Sequence, residues 1–342
     1  MDNKSSTSSR SPGDVEGEPV AKKSRLVHKT IIYDESKANQ WLDEPPLEVW
    51  DHHIIPLLSL RDLALSRHVC TFFEAYWQDK FSKNVLPLRV GNDVATINDV
   101  MGVIEILSTR REYTKSNPFV VLLGRGRLTA HPFLQPKGYH SITSSWTNPV
   151  GRVCATVLGI TRSNITFVGT GTGTTTIIGG FGIYEQENIT FKNMTVTNIS
   201  ARGDGIFMSN AKVELFDVAL KRCGSAGLRI PITTSATTTL VATRCEFSNN
   251  EYGAIVFGSY SSAKFNNCVF HDNDYDGIYG SDQSTIHLHG KPTALHTNER
   301  HGICAHHSCK VFIHLPSHHN TSYDNEGDDR NTFAGGTITN VE

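Results

Sequence analysis

The chain has 342 residues and a formal net charge of −2 at pH 7, so long-range attraction to nucleic acid or to an anionic membrane is not expected. No stretch approaches the roughly 18 consecutive apolar residues of a membrane helix. The seven cysteines lack metal-finger spacing, and the polar N-terminus lacks an apolar signal region. We therefore expect a reduced compartment, the cytoplasm, the nucleus or both.

Residues 1–40 are rich in Ser, Gly, Pro and charge and poor in apolar side chains, which predicts a disordered tail. Within this tail, Pro19-Val20-Ala21-Lys22-Lys23-Ser24-Arg25-Leu26 resembles a short nuclear-import signal. A solvated basic stretch in a flexible tail explains the same residues, and the sequence leaves both interpretations open.

Residues 41–84 have a helical pattern of apolar side chains. Leu47, Trp50, Ile54 and Leu57 recur at the spacing of one helix face. Ser59 and Asp62 have the spacing of a capping box that opens a second helix. A compact three-helix segment of about 40 residues is too small to be stable alone, so we expect it to pack on a partner or a neighbouring domain.

The same segment resembles an F-box. The resemblance rests on Pro46-Leu47-Glu48-Val49-Trp50, the central Asp62-Leu63 and the later Val69-Cys70. Two positions depart from the F-box pattern. Pro45 stands where the family usually has Leu, and Phe72-Phe73 stands where a Trp-Arg pair is common. The resemblance implies binding to a Skp-type adaptor through an apolar surface made of Pro46, Leu47, Ile54, Leu57, Leu63, Val69 and Phe72.

Residues 85–342 are predicted to form a right-handed parallel β-helix, so the chain is mainly β. Its start resembles that of the pectate-lyase type. A strand at 86–90 precedes a helix with a capping box at Thr96 and Asp99, and Pro118–Leu123 reads as a buried strand before a Gly-rich turn. The resemblance implies that this strand–helix–strand segment caps the first coil and covers its otherwise open sheet edge.

The β-helix is predicted mainly from a repeat of about 24 residues. Glycines followed by aliphatic residues recur at intervals of 22 to 26 residues, at Gly205, Gly227, Gly253, Gly277 and Gly302. An asparagine stands four residues before each of the last three, at Asn249, Asn273 and Asn298. This period is typical of a solenoid of about seven coils in which stacked Asn side chains bond along the axis.

Similar segments at the same interval predict strands that pair from coil to coil. They begin at Asn164, Asn188, Val213, Leu240 and Ala263. Cys245 and Cys268 share a register, and we interpret them as small apolar side chains in the interior.

The candidates for chemistry are histidines and aspartates. His289 and His314 lie 25 residues apart in matching strands, His287 shares a strand face with His289, and His271 and His296 repeat the interval. No nearby carboxylate or thiol completes a site, so we predict no metal and no cofactor. Turn formation explains most of the aspartates, Asp204, Asp276, Asp328 and Asp329, and we predict no catalytic residues.

An F-box followed by a β-helix resembles the substrate receptors of Skp–cullin–F-box ubiquitin ligases. This resemblance implies a non-catalytic subunit that binds a Skp-type adaptor, and through it a cullin-RING ligase, while the β-helix binds an unknown protein target. Two alternatives stay open. One is a carbohydrate-active, pectate-lyase-like enzyme, and the other is a protein- or glycan-binding β-helix with no role in a ligase.

Overall fold

The computed structural model describes residues 87–92, 94–108, 112–130, 158–233, 237–316 and 321–342. The predicted tail and the F-box-like segment, residues 1–84, lie outside the described residues. Within the described residues the protein is a right-handed parallel β-helix of about seven turns with one α-helix. The predicted fold of this region is therefore confirmed.

The helix α1 (Ile97–Ser108) precedes most of the coils. Its capping box forms as predicted, because Thr96 N donates to Asp99 Oδ2 at 2.9 Å and Asp99 N donates to Thr96 Oγ1 at 3.4 Å. Ile97, Val100 and Ile104 are buried in the common core. In the described part of the chain, no helix is long and apolar enough to cross a membrane.

Each complete coil contributes a short strand to each of three faces, and all paired strands are parallel. Within the described residues, faces 1 and 2 belong to one 16-stranded sheet and face 3 is an 8-stranded sheet. The strands β8 and β10 bend from face 1 into face 2 and pair on both.

The strands are numbered in chain order. Face 1 contains β1 (Leu88–Val90), β2 (Phe119–Leu123), β5 (Ile165–Val168), β8 (Ile189–Thr197), β10 (Lys212–Lys221), β12 (Thr238–Thr243), β15 (Ser261–Asn266), β18 (Thr285–His289), β21 (Lys310–His314) and β24 (Thr337–Val341). Face 2 adds β3 (Gly126–Thr129), β6 (Thr175–Ile178), β13 (Glu246–Ser248), β16 (Val269–His271), β19 (Ala294–His296) and β22 (Ser322–Tyr323). Face 3 contains β4 (Leu158–Ile160), β7 (Phe181–Tyr184), β9 (Ile206–Ser209), β11 (Ala226–Ile230), β14 (Tyr252–Phe257), β17 (Ile278–Ser281), β20 (Ile303–Ala305) and β23 (Arg330–Thr332).

The predicted register between coils is confirmed on face 1. Val213 pairs with Ile189 on one side and with Leu240 on the other, and Leu240 pairs with Ala263. Alternate residues of each strand point inward, which stacks like side chains on one another. Phe167 and Phe191, for example, stack with ring centroids 5.2 Å apart.

A candidate ligand-binding face

The repeat glycines form a column on face 3, where successive coils lie too close for a side chain. A Cβ atom on Gly205 would lie 2.6 Å from the carbonyl oxygen of Gly227. Cβ atoms on Gly227 and Gly277 would each lie 2.8 Å from the carbonyl oxygen of the next repeat glycine, Gly253 and Gly302. Glycine is therefore required at these positions by close backbone approach, and the column fixes the register of the residues beside it.

The asparagine ladder consists of Asn250, Asn273, Asn298 and Asn325. The Oδ1 of each of the last three accepts from the backbone N of the ladder asparagine one coil earlier, at 3.1 to 3.3 Å, and Asn250 Oδ1 accepts from the backbone N of Cys223 at 2.9 Å. Each Nδ2 of the first three donates to the next Oδ1, at 2.8 to 3.2 Å. Asn273 and Asn298 thus lie where the sequence placed them, whereas Asn250 occupies the ladder position assigned to Asn249.

Asn249 instead occupies an exposed turn with φ of 56°. Asparagine tolerates this left-handed conformation, which explains its presence without a ladder role. In this coil the ladder asparagine stands three residues before the glycine, because turn lengths differ between coils.

Cys245 and Cys268 are buried and form no disulfide, in agreement with the interior position predicted for them. The Cys268 thiol donates to the carbonyl oxygen of Ala242 at 3.5 Å. Burial raises the pKa of the Cys268 thiol well above its ordinary value, so it stays neutral and unreactive.

The residue two positions after each repeat glycine points away from the core on face 3. Strand pairing aligns these residues into one row, which consists of Phe207, Arg229, Ile255, Tyr279 and Cys304. The row passes two buried aspartates that each directly precede a repeat glycine, Asp204 and Asp276. The two carboxylates have different surroundings.

Asp204 has a complete set of partners. Its Oδ1 accepts from Ala226 N at 3.0 Å, and Arg229 Nε lies 3.0 Å from both carboxylate oxygens. Such a buried, charge-assisted pair is structural.

Asp276 occupies the equivalent position three coils later, but Cys304 stands where Asp204 has Arg229. Its Oδ1 accepts from His301 N at 3.2 Å, the counterpart of the Ala226 bond. Its Oδ2 is buried and, within the described residues, has no hydrogen-bond partner. Burial raises the pKa of Asp276, although Arg300 and His301 act in the opposite direction.

A cluster of tyrosines lies near this carboxylate, whose charge acts on Tyr252 and Tyr279. The ring centroids of Tyr252 and Tyr275 stack 5.0 Å apart, and that of Tyr279 lies 6.0 Å from Tyr252. The Arg300 guanidinium lies 5.7 Å from the Tyr275 ring centroid, within cation–π range. We call Tyr252, Tyr275, Tyr279 and Arg300 the tyrosine cluster.

The aromatic surface continues toward the C-terminal coils. The His306 ring centroid lies 6.2 Å from Tyr279 and 4.7 Å from Phe333, which is stacked on it. Phe333 is 62% exposed and Tyr275 38% exposed. Large apolar rings on an outer face, together with an arginine, are typical of a binding surface.

Burial changes the protonation behaviour of two phenol groups in the cluster. Burial, with Asp276 and Glu251 nearby, raises the pKa of Tyr252 to about 12, and burial also raises the pKa of Tyr279. A general base needs a pKa near the working pH and contact with the substrate. Both phenols remain protonated at neutral pH, and Asp276 Oδ2 is buried.

The other two candidate aspartates, Asp328 and Asp329, accept hydrogen bonds in the last coil. Asp329 Oδ1 accepts from Asn325 Nδ2 at 2.8 Å, and Asp328 Oδ2 accepts from Asn331 Nδ2 at 3.1 Å.

The adaptor-binding residues predicted from the F-box resemblance lie outside the described residues. They are Pro46, Leu47, Ile54, Leu57, Leu63, Val69 and Phe72.

The tyrosine cluster was not predicted from the sequence, although the repeat carries a signal for it. Tyr275 and Arg300 both stand two positions before a repeat glycine, Tyr252 stands one before, and Tyr279 two after. Residues at fixed offsets from the glycines of adjacent coils are neighbours in space. Aligning the coils on their glycines would therefore have grouped these four side chains.

Comparison with known proteins agrees with the fold. Residues 179–340 match the family described as right handed beta helix region. No curated protein matched the sequence.

Several solved structures show a remote likeness. The A-module of mannuronan C-5 epimerase AlgE6 from Azotobacter vinelandii is 13% identical with a TM-score of 0.43, over 72% of this chain and 75% of that one. The AlgE4 A-module from the same organism is 14% identical with a TM-score of 0.31, over 74% and 77%. ORF18 of Geobacillus virus E2 is 10% identical with a TM-score of 0.43, over 79% of this chain and 62% of that one. Likenesses this low carry no information about substrate or activity.

Proposed function

We propose that this protein is a non-catalytic target receptor of a ubiquitin ligase, in which face 3 of the β-helix binds a protein target. The tyrosine cluster is the observation that carries the target-binding part of the proposal. Tyrosine and arginine are enriched in protein interfaces and dominate their binding energy. The stacked rings are already ordered, so little side-chain entropy is lost when a partner binds.

The F-box-like segment, residues 41–84, supplies the second half of the proposal. Its apolar residues, Leu47, Ile54 and Leu57 among them, would bind a Skp-type adaptor and through it a cullin-RING ligase. The β-helix would then hold the target near the ligase and raise the effective concentration of a target lysine. Such a receptor would work in the cytoplasm, the nucleus or both.

Two pairs of substitutions separate the two binding functions. The full chain with Ile54→Asp and Leu57→Asp should lose a purified Skp adaptor in a pull-down but keep its captured target. The chain with Tyr279→Ala and Arg300→Ala should keep the adaptor and lose the target. Lys212 is exposed on face 1, away from the tyrosine cluster, so Lys212→Ala is a matched surface control. It should change neither adaptor binding nor target binding.

The ligase proposal fails if the wild-type chain does not bind the adaptor, or if the Ile54 and Leu57 variant binds it equally well. The target-binding proposal fails if the Tyr279 and Arg300 variant captures the same proteins in the same amounts. Transfer of ubiquitin to a captured protein in a reconstituted reaction, lost in both variants, would support the complete mechanism.

A carbohydrate-active enzyme is the second candidate. It is favoured by the combination on one face of a buried carboxyl group at Asp276, a cation at Arg300 and phenol groups at Tyr252 and Tyr279. Turnover of pectin or alginate by the purified chain, abolished by Asp276→Asn, would replace the receptor proposal. Binding of the same polymers without turnover, and without adaptor binding, would indicate a glycan-binding β-helix.

A further inference from the structure

Three histidines meet on face 1, away from the tyrosine cluster. His287 and His289 lie two residues apart in β18 and so point to the same side, and His314 lies at the end of the neighbouring strand β21. Strand pairing therefore brings together side chains that are 25 and 27 residues apart in the chain.

The imidazole nitrogens are close enough to share one ion. His287 Nδ1 lies 2.9 Å from His314 Nε2. The rings of His289 and His314 stack with centroids 3.9 Å apart. One nitrogen from each of the three histidines lies within 4.8 Å of the other two.

Packing holds these rings in place. All three side chains are half-buried, and the His287 ring stacks on Phe312 with centroids 5.2 Å apart.

The geometry points to a transition-metal site in which His287, His289 and His314 bind a divalent ion of the Zn²⁺, Ni²⁺ or Cu²⁺ type. Imidazole nitrogen suits these ions, whereas Ca²⁺ and Mg²⁺ require oxygen ligands. Tetrahedral ligands at roughly 2.1 Å from zinc lie about 3.4 Å apart, so small ring rotations would complete the site. Three protein ligands would leave a coordination position for solvent.

Other histidines of the described β-helix are differently occupied. His271 contacts Asp272 through Nδ1 at 2.7 Å and Glu246 through Nε2 at 2.9 Å. Its neighbour His296 stacks on it with centroids 5.3 Å apart. This pair provides a matched control, because it is a stacked histidine pair on the same solenoid without a third imidazole.

The test is calorimetric titration of the full chain, stripped with EDTA, with ZnCl2, NiCl2 and MgCl2. We expect one equivalent of Zn²⁺ or Ni²⁺ bound and no Mg²⁺. His289→Ala combined with His314→Ala should weaken binding about 100-fold or more, whereas His296→Ala should leave it unchanged. Circular dichroism of each variant checks that it folds.

Lys264 tests the position of the site without removing a ligand. Its backbone pairs with that of His287 in the adjacent strand, and its charge acts on both His287 and His289. Lys264→Gln should therefore strengthen zinc binding several-fold. The proposal is overturned if the wild-type chain binds no stoichiometric ion, if Mg²⁺ binds as well, or if His296→Ala weakens binding as much as the double variant.

Discussion

Replacing Asn273 with alanine removes the centre of the asparagine ladder. Asn273 Oδ1 accepts from the backbone N of Asn250 at 3.1 Å and from Asn250 Nδ2 at 3.2 Å. Its Nδ2 donates to the carbonyl oxygen of Phe247 at 3.2 Å and to Asn298 Oδ1 at 2.8 Å. The substitution deletes all four hydrogen bonds and leaves the backbone unchanged.

The expected loss of stability depends on which neighbouring polar groups keep a hydrogen-bond partner after the substitution. Asn250 Nδ2 retains its bond to the carbonyl oxygen of Leu220, and Asn298 Oδ1 retains the bond from the backbone N of residue 273. The backbone N–H of Asn250, which is 1% exposed, loses its acceptor. One orphaned buried donor costs about 1–3 kcal/mol and each lost bond about 1 kcal/mol net, so we expect a loss of about 3 kcal/mol.

Urea unfolding followed by circular dichroism measures this loss as a shift of the midpoint at constant slope. Hydrogen exchange provides a local measurement, because the Asn250 amide should lose its protection. Asn249→Gly is the matched control. It removes an exposed neighbouring side chain at φ of 56°, where glycine is permitted, and should cost under about 1 kcal/mol. Equal losses in the two variants, or no loss in Asn273→Ala, would refute the assignment of the ladder.

Two further predictions concern the glycine column and the buried carboxyl group. Gly227→Ala should cost about 2 kcal/mol or more in urea unfolding, because its Cβ would lie 2.8 Å from the carbonyl oxygen of Gly253. Gly173→Ala, with no heavy atom within 4 Å of the added Cβ, is the control, and equal effects would contradict the close-approach argument. Because burial raises the pKa of Asp276 above its ordinary 3.8, the folded protein holds this proton to higher pH than the unfolded chain. The stability of wild type relative to Asp276→Asn should therefore fall as pH rises from 3.8 toward neutrality, and parallel pH profiles would show the reasoning to be wrong.

The parts of the fold that were predictable are those set by local pattern. The capping box of α1 needs only Thr96 and Asp99 at a spacing of three, and both of its hydrogen bonds form. The stacking of coils was equally predictable. Alternation of inward and outward side chains along a strand, together with the regular repeat interval, specifies which residues pair. The pairing of Val213 with Ile189 and Leu240 follows from these two patterns.

The ladder shows where counting along the sequence fails. Asn249 and Asn250 are adjacent and chemically identical, and only the path of the turn decides which of them points inward. Asn325 was not identified because Asp329 stands where the earlier coils have glycine. Asn325 still lies four residues before this position, but the repeat glycine from which the spacing was counted is absent.

Spacing along the chain is enough to specify the repeat, the strand faces and the register between coils. The environment of each functional side chain depends instead on contacts between coils. Asp204 and Asp276 have the same offset from a glycine, yet one meets Arg229 and the other Cys304 in the next coil. Likewise, the distance between His287 and His314 depends on ring orientations, which neighbouring coils fix by packing. A repeat specifies which residues become neighbours, whereas the contacts between those neighbours specify whether a group is satisfied, charged or available to a ligand.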